Sequence, residues 1–212
     1  MNNNVLSLDR LSPYNKALED SAPRSLRKAI PKSLFCWLSR GTIQMQSMIK
    51  PQKWAYWTKI TDEIYLGAMP LKNWDHADKI ASLGIKTVLS INEDYEFKDH
   101  VLAKPVQTQD WEKKNIKVLK IASPDMEGVS IASLAQAVNY VVEQVNLGNP
   151  IYIHCNAGRG RSASVVICAL TKLRGYTIAE AIEFVKKCRP QVMLNEKQIA
   201  ALNSWYASAY YT

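Results

Sequence analysis

From residue 63 onward, apolar and polar residues alternate regularly and predict strands that alternate with helices. The short apolar runs typical of buried strands lie at 64–66, 86–91, 116–121 and 151–154. Apolar residues at helical spacing predict helices at 75–83, 131–147, 161–174, 177–188 and 195–208. Residues 92–109 are polar and predict a long loop, which in a compact domain is often functional. This order predicts an α/β fold with a central, mostly parallel sheet flanked by helices.

The first 60 residues lack this regularity and predict a basic helical extension on a domain at 61–212. Residues 1–20 are polar and are expected to be mobile. Pro31 and Gly41 are expected to divide the rest into short helical pieces. Two interpretations stay open. The extension is a cap packed on the domain, or it is a contact with an anionic membrane, where basic charge and interfacial tryptophans act together; both can hold at once.

The charge distribution places the basic excess in this extension. The chain has 212 residues and a net charge of +8. Residues 21–61 contain eight Lys and Arg but no Asp or Glu, and residues 62–212 are nearly neutral, with 17 basic and 16 acidic side chains. We expect an anionic membrane surface as a partner and no nucleic acid, and the oligomeric state is left open.

The sequence also bears on the compartment. No apolar run reaches the roughly 18 residues that a membrane-spanning helix needs, and no secretory signal is expected. The four cysteines show no paired spacing, which favours a reducing compartment. We therefore expect a cytoplasmic protein with peripheral membrane association. Mitochondrial import, which Asp9, Glu19 and Asp20 fit poorly, and delivery into a host cell are the alternatives.

The segment after the apolar run at 151–154 has the pattern of a nucleophilic phosphate site. Five residues separate Cys155 from Arg161, where a helix is predicted to begin. Because Ala157, Gly158 and Gly160 are small, successive backbone N–H groups can turn toward one anion. The planar guanidinium of Arg161 suits two phosphoryl oxygens. The same positive field is expected to lower the pKa of Cys155, whose thiolate then attacks phosphorus and forms a phosphocysteine.

The remaining residues of the loop have expected supporting roles. Asn156 and Arg159 are expected to contribute to phosphate binding. Ser162 can donate a hydrogen bond to the sulfur as it leaves, and His154 is expected to support the loop through its ring. The structural alternative is a buried cysteine beside an unrelated surface arginine. No Gly-Lys-Ser/Thr follows the glycines, so a nucleotide-binding loop is not predicted.

Such a reaction also needs a general acid on another loop to protonate the departing oxygen. Asp125, just after a predicted strand and three residues before Gly128, is the preferred candidate. Its structural alternative is a turn or helix-capping aspartate. Asp94 and Asp110 are weaker candidates for the acid.

The loop from His154 to Ser162 resembles that of dual-specificity phosphatases of the protein-tyrosine-phosphatase superfamily. The resemblance covers roughly 62–208 and extends to the mitochondrial group that dephosphorylates phosphatidylglycerophosphate. It includes a strand like 64–71, an acidic-aromatic motif like 92–96 and an acid loop like 125–128. The loop motif points to the superfamily, and the acidic-aromatic motif points to this group.

The resemblance implies a lipid phosphomonoester substrate, Asp125 as the acid, and neither metal nor cofactor. It also implies that Glu93, Tyr95 and Glu96 overhang the site and contact substrate; the alternative is a solvated acidic loop. Asn156 departs from the lysine often found in relatives that act on polyanionic lipids, which disfavours a highly phosphorylated inositol head group.

Three functions therefore remain under consideration. The preferred one is a phosphatase for phosphatidylglycerophosphate or a phosphoinositide. The first alternative is a protein phosphatase for phosphotyrosine and phosphothreonine, which uses the same loop with a different rim. The second is a non-catalytic phosphate-binding module, against which the presence of Cys155, Arg161 and Asp125 argues.

Overall fold

The computed structural model describes residues 32–50, 54–100 and 103–211, with side chains from residue 40 onward. The expected mobility of residues 1–20 and the expected break at Pro31 lie outside these ranges. Within the described ranges, no helix is long and apolar enough to cross a bilayer.

One five-stranded sheet forms the centre of the molecule. Its strands are β1 (Trp57–Lys59), β2 (Ile64–Gly67), β3 (Thr87–Ser90), β4 (Lys117–Lys120) and β5 (Ile151–His154). They are arranged in the order β1-β2-β5-β3-β4, with β1 antiparallel to β2 and the other neighbours parallel. The predicted mostly parallel α/β sheet is thereby confirmed, although β1 is too short to show a strand pattern in the sequence.

Seven helices of the described chain surround or flank this sheet. They are α1 (Lys32–Ile49), α2 (His76–Ala81), α3 (Thr108–Glu112), α4 (Ile131–Asn146), α5 (Arg161–Arg174), α6 (Ile178–Cys188) and α7 (Glu196–Tyr210). All five helices predicted between residues 75 and 208 are present. The predicted loop at 92–109 contains a 3-10 turn at Asp94–Phe97 and the start of α3, both short enough to escape periodicity analysis.

The two faces of the sheet bury different side chains because successive residues of a strand point in opposite directions. Leu89 and Ile153 face the main core, which α4, α5, α6 and α7 cover. Val88 and Tyr152 face a smaller core beneath α2 and α3. The central strand β5 is buried along its whole length, so the loop that follows it starts from a rigid support.

Helix α1 differs from its prediction. It runs for 18 residues through Gly41 instead of breaking there. A Cβ at Gly41 would contact nothing within 4 Å, so the glycine fills no steric need. Tertiary packing offsets the weak helix propensity of glycine, because Ile43 packs with Tyr56 and Ala68 on the domain. For residues 40–49 this contact supports the interpretation of the extension as a cap. Strand β1 was predicted to lie in the extension, but it belongs to the sheet.

Two glycine substitutions test this architecture in opposite directions. Gly41→Ala should increase the free energy of unfolding by up to ~1 kcal/mol, because alanine favours the helix and meets open space. Gly67→Ala should decrease it by roughly 1–3 kcal/mol, because its Cβ would lie 2.1 Å from the Tyr152 hydroxyl oxygen. Urea denaturation of both variants measures the difference. A loss of stability in Gly41→Ala would contradict a continuous, docked α1.

Candidate active site

Cys155 lies at the carboxyl end of the central strand, the edge of a parallel sheet where ligands usually bind. Residues 155–160 connect β5 to α5, and Cys155 is buried. Gly158 has a φ of +67°, and a Cβ there would lie 2.3 Å from the carbonyl oxygen of Gly67. Only glycine satisfies both constraints, which explains its place in the loop.

The loop turns its carbonyl groups outward. The Asn156 carbonyl accepts from Met69 N–H at 3.2 Å, and the Arg159 carbonyl accepts from Met193 N–H at 3.0 Å. The Gly158 carbonyl accepts from Arg189 Nε at 3.0 Å. Because these carbonyls point away, we expect the neighbouring N–H groups to face the centre of the loop, where the N-terminus of α5 adds its partial positive charge. The loop is therefore shaped to receive an anion.

The surroundings of Cys155 favour the thiolate. Burial opposes ionisation, but the Arg161 charge and the hydrogen bonds from Ser162 outweigh it, so the pKa of the thiol is lowered. The Ser162 hydroxyl donates to Sγ at 3.2 Å, and its backbone N–H adds a second bond. A lowered pKa increases the fraction of thiolate, which is the nucleophilic form of cysteine.

Arg161 is held in place by a buried ion pair. Its two terminal nitrogens donate to the two carboxylate oxygens of Glu96 at 2.8 and 2.9 Å. One of them also donates to the Ser123 carbonyl at 2.8 Å. The Nε–H of Arg161 is buried and has no acceptor among the residues that the structure describes, so it can donate to a bound anion. Burial raises the pKa of Glu96, but the hydrogen bond and charge of Arg161 reverse this effect, so the net pKa is lowered and the carboxylate is ionised.

This arrangement corrects the predicted role of Glu96. The sequence predicts a substrate contact, whereas the buried carboxylate of Glu96 faces Arg161 and is a positioning group. Glu93 lies at the start of the same 3-10 turn, and its N–H donates to Glu96 Oε2 at 2.8 Å. Tyr95 is half-buried in that turn. A substrate contact by Glu93 or Tyr95 stays a prediction.

Asp125 is positioned beside the same guanidinium. Its Oδ1 lies 3.1 Å from the Arg161 terminal nitrogen, and its side chain is 28% exposed. The turn that carries it is tied to the start of α7, where the Asn195 side chain donates to the Met126 carbonyl at 2.8 Å. Of the weaker candidates for the acid, Asp94 is exposed and Asp110 pairs with Lys72 at 2.8 Å. Asp125 therefore remains the preferred acid on geometry.

The other predicted loop residues occupy distinct positions. His154 is buried, and its Nδ1 lies 3.3 Å from the Cys155 carbonyl oxygen. Burial lowers the pKa of His154 to about 3, so the ring is neutral and supports the loop without titrating near pH 7. The Asn156 side-chain oxygen accepts from Arg40 Nε at 2.7 Å. A contribution of Asn156 to phosphate binding stays a prediction.

The outer part of the loop contacts two other segments. Ala157 packs against the cluster of Ile43 with Tyr56 and Ala68. The guanidinium of Arg159 lies 4.9 Å from the ring centroid of Trp54. A Cβ at Gly160 would lie 2.5 Å from the Gln198 amide nitrogen, so a larger residue would have to displace that side chain.

Two arginines that contact the site escaped the sequence predictions. Arg189 is buried and also donates to the Ala55 carbonyl at 2.9 Å and the Thr58 hydroxyl at 3.0 Å, which ties the loop to β1. Burial lowers the pKa of Arg189 to about 10, so it remains charged at neutral pH. The other is Arg40 of α1. The position of Arg189 between a predicted helix and Pro190 is only a weak sequence signal for a functional role. No sequence signal indicates such a role for Arg40.

The hydrogen bond from Ser162 gives a direct test of thiolate stabilisation. In Ser162→Ala the pKa of Cys155 should rise, because a contact that lowers it is removed. At pH values below the wild-type midpoint, alkylation by iodoacetate should slow by about tenfold, since a hydrogen bond to a charged group contributes about 1.5 kcal/mol. Ser164→Ala, on the same helix but bonded to the Gly160 carbonyl, is the matched control. Identical pH profiles for Ser162→Ala and wild type would contradict the stabilisation.

Known proteins share both the sequence pattern and the fold. The family described as "Dual specificity phosphatase, catalytic domain" matches residues 64–208. The mouse protein named phosphatidylglycerophosphatase and protein-tyrosine phosphatase 1 is 30% identical over 152 residues, which span 71% of this chain and 76% of that one. The phosphatidylglycerophosphate phosphatase PTPMT2 of Arabidopsis thaliana is 32% identical over 144 residues, which span 68% of this chain but only 59% of that protein.

Among solved structures, that of PTPMT1 in complex with PI(5)P is similar, with a TM-score of 0.65 and 26% identity over 74% of this chain and 99% of that one. The family match covers the strand, the loop, the acid turn and the helices that form the site described above. A buried thiol with a lowered pKa, beside an arginine whose Nε–H has no acceptor in the described part of the chain, is the arrangement that suits phosphoryl transfer through cysteine. The chain therefore belongs to the dual specificity phosphatase family and is a cysteine-dependent enzyme that hydrolyses phosphoric monoesters.

Proposed function

We propose that the substrate is a phospholipid whose head group ends in one phosphomonoester, either phosphatidylglycerophosphate or a singly phosphorylated phosphoinositide. The names of the similar proteins support this substrate class, since they specify phosphatidylglycerophosphate, and a similar structure contains PI(5)P. The observation that carries the proposal is the mouth of the site, where a cation and apolar side chains lie together.

At this mouth Arg159 is stacked against Trp54, and two methionines are exposed nearby. Met193 is tied to the loop by its N–H bond to Arg159, and Met126 follows the proposed acid. Besides the phosphomonoester, the head group of such a lipid carries a phosphodiester whose negative charge a cation can bind. The glycerol and the start of the acyl chains need apolar contacts.

The residue after the nucleophile supports a single phosphate in the site. Asn156 carries no charge, and its side-chain oxygen accepts from Arg40. The loop therefore offers no lysine there to neutralise a second monoester. This favours phosphatidylglycerophosphate or a monophosphorylated inositol lipid over a highly phosphorylated head group.

In the proposed reaction the Cys155 thiolate attacks phosphorus, a sulfur–phosphorus bond forms and the bond to the head-group oxygen breaks. Asp125 gives its proton to the departing alkoxide, and Arg161 binds phosphoryl oxygens through its Nε–H. Water then cleaves the sulfur–phosphorus bond, gives its proton to Asp125 and releases inorganic phosphate. Ser162 stabilises the sulfur as it becomes a thiolate again.

We further propose that the outer face of α1 rests on an anionic membrane. Met45, Met48 and Ile49 are each at least 60% exposed and lie on one side of the helix, opposite the buried Ile43. Three exposed apolar side chains on one turn suit the interfacial region of a bilayer, and the basic composition of residues 21–61 adds attraction to anionic lipids. The protein would then associate peripherally with a cytoplasm-facing membrane.

The acid role of Asp125 has a distinctive signature. Asp125→Asn should lower kcat for an alkyl phosphate by about 10²-fold or more, because an alkoxide is a poor leaving group without a proton donor. An aryl phosphate with a good leaving group should lose less, since its oxygen departs without protonation. Asp110→Asn should stay within a factor of about two of wild type, because Asp110 pairs with Lys72. Equal losses on both substrates would contradict the assignment.

The substrate proposal is tested with the full chain on vesicles. Phosphate release from phosphatidylglycerophosphate and PI(5)P, each in anionic vesicles, should exceed release from a phosphotyrosine peptide at equal phosphate concentration. Cys155→Ser should abolish all three activities. Fast peptide turnover with no release from vesicles would make the enzyme a protein phosphatase.

A paired variant separates membrane contact from chemistry. Met45→Gln with Met48→Gln should lower turnover on vesicles by roughly tenfold, since a loss of about 1.4 kcal/mol of apolar burial corresponds to tenfold in binding. Turnover of a soluble aryl phosphate should not change. Leu147→Gln is the control, because this exposed leucine precedes β5 at the end opposite Cys155. Unchanged turnover on vesicles would contradict the role of α1.

A further inference from the structure

Helix α1 lies outside the family's catalytic domain, yet one of its side chains reaches the site. The family match begins at residue 64, whereas α1 ends at Ile49. Arg40 is 1% exposed and points from α1 into the domain. Ile43, one turn further along, packs on the cluster that includes Ala157 of the phosphate loop. The added helix therefore rests directly on the catalytic loop.

The guanidinium of Arg40 connects two separate parts of the site. Its Nε donates to the Asn156 side-chain oxygen at 2.7 Å. One of its terminal nitrogens donates to the backbone carbonyl of Glu96. Asn156 directly follows the nucleophile, and the Glu96 carboxylate holds Arg161. A single side chain thus sets the distance between the phosphate loop and the turn that orients the catalytic arginine.

The burial of the Arg40 guanidinium indicates that this residue does more than cover the domain surface. Removing a charged group from water is costly unless its hydrogen bonds are replaced, and an apolar residue would cover the same surface without that cost. Only a planar fork with several N–H donors can serve two acceptors in fixed directions, which distinguishes arginine from lysine. The charge also acts on the loop, since Arg40 contributes to lowering the pKa of His154.

We propose that Arg40 is a positioning residue of the phosphatase reaction. It holds the phosphate loop and the Glu96 turn at a fixed distance and orientation, so that the Arg161 Nε–H faces the phosphoryl group on Cys155. Glu96 is then fixed twice, through its backbone carbonyl by Arg40 and through its carboxylate by Arg161. Residues 32–49 are accordingly part of the catalytic unit of this chain as well as a cap.

Steady-state kinetics of the full chain on a soluble aryl phosphate tests this role independently of any membrane. Arg40→Met should lower kcat by roughly 10- to 100-fold, the loss that a misplacement of about 1 Å produces, while KM changes less. Arg40→Lys should lower kcat by a smaller factor, because it keeps the charge but cannot serve both acceptors. Lys50→Met is the matched control, since Lys50 is exposed directly after the same helix and its substitution should leave kcat unchanged.

Two further readouts distinguish positioning from loss of folded protein. In Arg40→Ala, added guanidinium chloride at low, non-denaturing concentration should restore part of kcat, and it should not stimulate wild type or Lys50→Met. In a double-mutant cycle, Arg40→Met should cost less in an Asn156→Ala background, because the shared contact is already absent. All rates are normalised to the thiol that iodoacetate alkylates rapidly at about pH 6, where the ordinary thiols of unfolded molecules are protonated and react slowly.

Several outcomes would overturn the proposal. These are a kcat per titrated site within twofold of wild type for Arg40→Met and Arg40→Lys, an absence of rescue by guanidinium, or additive effects in the cycle. If Arg40→Met fails to fold, Arg40→Lys still decides the question. A wild-type kcat in that variant would leave Arg40 with a structural role only.

Discussion

The ion pair between Glu96 and Arg161 is the interaction on which the catalytic geometry depends. Both side chains are buried, so each has lost its hydration, and attraction alone rarely recovers that cost. Here the pairing is bidentate, and additional bonds from the Glu93 N–H and to the Ser123 carbonyl satisfy further sites. The two terminal nitrogens of Arg161 are therefore bonded within the protein, whereas its Nε–H has no acceptor in the described residues and can donate to the substrate.

This pair also determines the charge balance around the nucleophile. Arg161 stabilises the Cys155 thiolate, whereas Asp125 opposes it. Glu96 neutralises part of the arginine charge, and Arg189, bonded only to neutral acceptors in the described chain, adds a second buried cation behind the loop. A bound phosphoryl group adds further negative charge beside Arg161 and in front of Arg189. Binding energy is thus directed at the reacting centre, where it can stabilise the transition state.

The sequence predicted those parts of the fold and site that residues close together in the chain determine. The strand, small-residue loop and helix around Cys155 are contiguous, so their spacing indicated both the fold and the nucleophile. Contacts between distant segments could not be predicted in this way: Arg161 meets Glu96 across 65 positions, and Arg40 meets Asn156 across 116. Glu96 illustrates the limit, because its motif marked it as functional while only the structure shows that it faces an arginine.

The proposed role of Arg40 extends the catalytic unit beyond the residues that the family matches, for a physical reason. The site lies at the edge of the sheet, where loops are exposed unless another element covers them. In this chain β1, Trp54 and α1 supply that cover, although all precede the matched residues 64–208. Once such a segment is buried against the loop, its polar side chains must find partners there. A covering helix therefore acquires contacts with the catalytic residues, and evolution can use those contacts to adjust the chemistry.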